Sequence, residues 1–153
     1  MAKLVECVPN FSEGQRAEVI EAIIDEARGT PGVTVLDHSS DPSHNRTVLT
    51  FVGEPQAAKQ AAFACCARAA ELIDMEKHRG GHPRIGATDV IPFIPVSNVT
   101  MEECVALAHE LGREIADKLS IPVYFYEAAA KRPLMKALPD VRKGEYEGLK
   151  EAI

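Results

Sequence analysis

Apolar and polar positions follow two periods along this chain, and each change of period marks an element. Lys3 to Val8 has the apolar content and length of a buried strand, closed by Pro9-Asn10. From about Gln15 to Ala27 the period becomes helical. Val19, Ile20, Ile23 and Ile24 fall on one face, Ser12 with Gln15 reads as a capping box, and Gly29 with Pro31-Gly32 stops the helix. Val33 to Asp37 and Arg46 to Val52 return to strand character, and the polar run His38–Asn45 between them is too short for a helix, so the two predict an antiparallel pair. The Ala-rich run from Pro55 to Ile73 predicts a helix that opens on a proline. Asp89 to Ile94 predicts a strand whose Pro92 marks an edge or a bulge. Thr100 with Glu103 predicts a capped helix to about Leu119, and Val123 to Tyr126 a further strand. The order βαββαβαβ predicts an α/β (α+β-like) fold: a mixed β-sheet of about five or six strands with helices packed outside. No repeat or linker divides residues 1–153, which predict one domain with short helical pieces after Ala128.

Composition narrows the function classes. A chain of 153 residues can bury a core without a metal or disulfide to hold it. The formal charge of −6, with Lys and Arg scattered, excludes a phosphate-backbone footprint, so no nucleic-acid partner is expected. No apolar run reaches the length of a membrane span or a signal peptide, which predicts a soluble cytoplasmic protein with no membrane partner. The four cysteines (Cys7, Cys65, Cys66, Cys104) lack CxxC spacing and read as reduced core thiols.

Three polar loops carry the candidate chemistry, and they are placed to meet at one sheet edge: Asn10–Gly14, His38–Arg46 and His78–Gly86. In the third, Gly80-Gly81 and Pro83 hold His82 in non-helical backbone, and Arg84 projects to the same side in extended chain. An imidazole beside a fixed cation suits acid–base work on an anion, whereas a surface loop whose glycines merely turn the chain is the competing reading; pattern alone leaves both open. His78 and His82 have metal-ligand spacing only on a helix, which the glycines and proline disfavour, so no metal is expected. No nucleotide-phosphate loop or nucleophile elbow occurs. Arg46, opening a strand, can reach a carboxylate at the sheet edge or simply pair with Asp37 or Asp41.

At these residues the chain resembles the glutamate formimidoyltransferase family. The likeness rests on Val5–Gly14, on Asn45-Arg46-Thr47 with Thr50–Gly53, and on Gly81–Val90 with Pro92–Pro95. It matches the N-terminal subdomain, which also occurs in formimidoyltransferase-cyclodeaminase. The resemblance implies transfer of a formimino group from N-formimino-L-glutamate to tetrahydrofolate, a step of histidine catabolism and one-carbon metabolism, with His82 as acid–base catalyst. It implies formiminoglutamate and folate as partners, tetrahydrofolate as co-substrate, and a binding set drawn from Arg84, Arg46, Asn45, Asn10, Asp37, Asp41 and Asp89. Arg46 and Arg84 suit the substrate carboxylates, and Asp37, Asp41 or Asp89 suit the cationic amidinium. The family's transferase has two facing subdomains, so a chain with only the first is expected to form a homodimer or to pair with a second-subdomain protein. The alternative is a non-catalytic module derived from the family, which binds a small anion or pairs with another subunit.

Overall fold

The computed structural model describes residues 3–73, 87–119 and 121. Among these residues nine elements follow in order: β1 Leu4–Cys7, β2 Asn10–Phe11, α1 Ala17–Arg28, β3 Val33–Asp41, β4 Arg46–Gly53, α2 Pro55–Leu72, β5 Thr88–Val90, β6 Phe93–Ser97 and α3 Met101–Leu119. The α/β class and the strand number follow the sequence reading. All the ladders among the described residues are antiparallel. The strand predicted over Val123–Tyr126 lies outside the described residues.

Pro9 and Pro92 explain why six strands make only four rows. β1 and β2 are one row broken at Val8-Pro9, and β6 and β5 are its neighbour broken at Ile91-Pro92. Neither proline has an N–H for a ladder. The breaks lie side by side, with Val8 N–H donating to the Pro92 carbonyl at 3.2 Å. β4 runs unbroken along both β1 and β2, and the Leu49 amide takes the Pro9 carbonyl at 3.1 Å. With β3 on its other side, β4 completes the row order β3, β4, β1/β2, β6/β5, that of the split βαβ, ferredoxin-like arrangement.

Strand alternation puts one face of the sheet inside. Val5, Cys7, Phe11, Leu49, Phe51 and Phe93 join the buried residues of all three helices in one core. Helix α2 lies between α1 and α3, and its inward positions are small (Ala58, Ala61, Ala62, Cys65, Cys66, Ala69), which brings its backbone close to the sheet. Between α2 and α3 the buried Lys59 reaches Glu114 at 3.2 Å and Glu110 at 3.5 Å. All four cysteines are buried and free, as expected. Burial pushes the Cys65 thiol up to about 12, and Cys7, Cys66 and Cys104 are raised by the same cause.

Two local readings change. Helix α1 begins at Ala17, behind Arg16, because Glu13 rather than Ser12 accepts the amides that precede it: Gln15 N–H at 3.1 Å and Arg16 N–H at 3.0 Å. The strand expected to stop at Asp37 continues to Asp41, since its backbone pairs with β4 whatever its side chains. Thr100 caps α3 as predicted, accepting the Glu103 N–H at 3.1 Å. No described helix is long and apolar enough to cross a membrane.

Candidate functional site

The register gathers the candidate residues on the sheet face opposite the helices. A bulge at Leu36 shifts β3 by one residue, so that Asp37, Ser39 and Asp41 lie opposite Thr50, Val48 and Arg46. Asn10 also lies opposite Val48, and Glu6 opposite Val52. Opposed residues share a face, so Asp37, Asp41, Arg46 and Asn10 all belong to the one that no described helix covers, here called the open face. Asp89 is the extra residue between Thr88 and Val90, where β5 slips against Asn10 and Phe11. His82 and Arg84, with the rest of 74–86, lie outside the described residues.

Asn10 and Arg46 meet directly. The Arg46 Nη2 donates to Asn10 Oδ1, and Asn10 Nδ2 donates to the Val8 carbonyl at 2.9 Å, which fixes the amide's orientation. Asn10 is buried and Arg46 half-buried, so the guanidinium is held at the rim of the sheet rather than swinging in solvent. Asn45 is buried beside them in left-handed backbone with φ of 53°, a conformation asparagine tolerates. Its Oδ1 accepts the Gly14 N–H at 2.8 Å, so this side chain shapes the β3–β4 turn.

That turn is clamped to the loop after β2. A Cβ on Gly14 would lie 2.4 Å from the Asp41 carbonyl oxygen and 2.5 Å from the Arg46 nitrogen, so only glycine fits. Gln15 Nε2 donates to the Pro42 carbonyl at 2.9 Å, and the Thr47 hydroxyl donates to the Glu13 carbonyl. At the outer end of the turn Asp41 and His44 pair at 2.5 Å, and Asp41 also accepts the backbone amides of Ser43 and His44. These bonds, above all that from the His44 ring, hold the Asp41 carboxyl below its ordinary range.

Asp37 stands further along the β3 edge. With His38, Arg28, Val33, Val35 and Leu36 it lines an open groove of about 470 Å³. His109 is half-buried on α3, away from this cluster in sequence and on another element. Among the described residues no three His, Cys, Asp or Glu side chains are grouped to hold a metal ion. The sequence placed Glu13 and Gly14 in a candidate loop and Thr47 in a family-like motif but gave none of them a role of its own; the local signal was the i,i+3 spacing of Glu13 and Arg16 just before a helix.

Residues 4–153 match the formiminotransferase domain, N-terminal subdomain. The chain belongs to this family. It is 50% identical, over all 153 residues, to glutamate formimidoyltransferase of Streptococcus pyogenes serotype M1, of which it covers 51%. It is 51% identical over 152 residues to the enzyme of that name from Thermoplasma acidophilum, covering 50% of it. Over its whole length it is 52% identical to formimidoyltransferase-cyclodeaminase of Rattus norvegicus, covering 28%. The chain thus spans about half the length of the two transferases.

Proposed function

We propose that this chain is the His82-bearing half of a glutamate formimidoyltransferase, passing a formimino group from N-formimino-L-glutamate to N5 of tetrahydrofolate. The observation that carries the reading is the likeness to formimidoyltransferases along the whole chain, with the Gly81–Val90 motif intact. The open sheet face supports it: a fixed guanidinium at Arg46, carboxylates at Asp37 and Asp41, and apolar positions at Val48 and Val52 suited to a flat heterocycle.

The chemistry is an exchange between two amines. N5 of the acceptor forms a bond to the amidine carbon and loses a proton; the bond from that carbon to the glutamate nitrogen breaks, and that nitrogen gains a proton. His82 serves both transfers, since a group of near-neutral pKa can accept one proton and return it. Arg46, oriented by Asn10, takes one substrate carboxylate and Arg84 the other as planar forks. Asp37, Asp41 and Asp89 are the carboxylates available to the amidinium, and Asn45 shapes the turn that presents Arg46.

The second half of the site comes from a second subdomain facing the open sheet. Ile94 and Val96 stand 43% and 53% exposed at its rim, and the transferases are twice as long as this chain. The test is turnover of formiminoglutamate and tetrahydrofolate with the second-subdomain polypeptide present. His82→Ala is expected to lower it by roughly 10²- to 10⁴-fold. A folded His82→Ala protein with wild-type turnover refutes the assignment. So does binding of folate or glutamate without any transfer by the assembled wild type, which leaves the non-catalytic module.

A further inference from the structure

The loop between β2 and α1 carries a carboxylate that is 5% exposed, Glu13, and burying a carboxylate is costly unless charge and hydrogen bonds compensate it. Here both carboxylate oxygens are engaged. Oε2 accepts the amides of Gln15 at 3.1 Å and Arg16 at 3.0 Å, while Oε1 accepts the Arg16 Nε–H at 2.8 Å and forms an ion pair with Nη2 at 2.8 Å. The guanidinium so held passes its Nη2 on to the Leu72 carbonyl, 3.1 Å away, at the end of α2. On the loop's other side the Ser12 amide donates to the Ala87 carbonyl at 2.8 Å. Leu72 and Ala87 flank the connection that carries His82. The same five residues also reach the β3–β4 turn, through Gly14 to Asn45 and through the Glu13 carbonyl to Thr47.

We infer that Glu13 is a positioning residue of the site: one buried carboxylate that sets the Asn10–Arg46 pair and both flanks of the His82 connection relative to one another. The inference rests on the function proposed above for its effect on turnover, but not for its effect on the loop. The geometry also says why no neutral residue replaces it. A glutamine offers one acceptor oxygen and one NH₂ group, and its NH₂ would face either two backbone amides or a guanidinium, donor against donor. An aspartate is one methylene too short to span from the loop to both sets. Misplacing a catalytic group by an ångström costs on the order of 100-fold in rate, so the effect is visible in turnover rather than in folding alone.

The test compares Glu13→Gln and Glu13→Asp with Ile24→Val, a core change on α1 that touches none of these bonds. Two measurements are made: turnover with the second subdomain present, and amide exchange by NMR. Glu13→Gln is expected to lower kcat roughly 10- to 100-fold with a smaller change in KM. Its exchange at Ser12 and Gly14 rises about tenfold over that at Val5 and Leu49, which marks a local opening. Glu13→Asp recovers part of both, and Ile24→Val keeps wild-type kcat while exchange rises evenly. Unchanged exchange at Ser12 and Gly14 in Glu13→Gln overturns the inference. An even rise like that of Ile24→Val, or a local rise with wild-type kcat, does the same. If the assembled wild type transfers nothing, the proposed reaction falls by itself, and the exchange pattern still decides whether Glu13 holds the loop.

Discussion

Replacing Gly14 by alanine puts a methyl group where the structure has backbone. The added carbon would meet the Asp41 oxygen at 2.4 Å, the Arg46 nitrogen at 2.5 Å and the Arg46 oxygen at 2.8 Å, and none of these atoms belongs to a side chain that can rotate away. The loop must therefore withdraw from the turn. Overpacking of this kind costs about 1–3 kcal/mol. Withdrawal also stretches the buried Gly14 to Asn45 hydrogen bond, for about 0.5–1.5 kcal/mol more. The sum is about 2–4 kcal/mol. At this chain length each kcal/mol moves Tm by roughly 2–4 °C, so the expected drop is roughly 5–15 °C. Thermal unfolding followed by circular dichroism measures it, with Gly29→Ala as the comparison. Gly29 ends α1 in right-handed backbone (φ −83°), and its Cβ would come no closer than 3.3 Å to the Asp25 oxygen. That change should leave Tm within a few degrees, or raise it by cutting unfolded-state entropy. Equal melting temperatures for the two variants would refute the close approach at Gly14.

Three other outcomes are expected. His44→Ala removes the main cause of the low Asp41 pKa, so the carboxyl titration followed by NMR should move up toward the ordinary value. Because a depressed carboxylate stabilises above its unfolded pKa and loses that contribution as pH falls through its folded pKa, the wild type should lose more stability than His44→Ala on acidification, and equal acid profiles would contradict the pairing. The four buried thiols, all with raised pKa, should react with a thiol reagent at pH 8 only after unfolding, and rapid labelling of the native protein would show an open core. The isolated chain should sediment as a dimer at micromolar concentration and Ile94→Asp as a monomer; a strictly monomeric wild type would rule out pairing through the open sheet face.

The helices and most strands were legible because burial imposes a period on apolar residues, as in Val19, Ile23 and Ile24 or in Leu49 and Phe51. What has no apolar signature stayed hidden. His38 to Asp41 carry no core side chain, yet backbone bonds to β4 make them strand. The Ser12–Gln15 pattern suggested a cap, and the adjacent longer carboxylate of Glu13 took the amides instead. The residue types of the site could be read directly, but their convergence could not. Asn10 and Arg46 lie 36 positions apart, and their meeting depends on the register of β2 against β4, which no local pattern announces. Gly14 closed a motif in the sequence, but its physical reason lies in a turn some thirty residues away.

The paired proline breaks give the sheet a seam. Two neighbouring rows lack ladder donors at the same level, and β4 crosses the line with β3 paired beside it. Across such a seam the ladder is continuous only in β3 and β4, so amide exchange should be faster at Asn10 and Phe11 than at Val5 and Cys7.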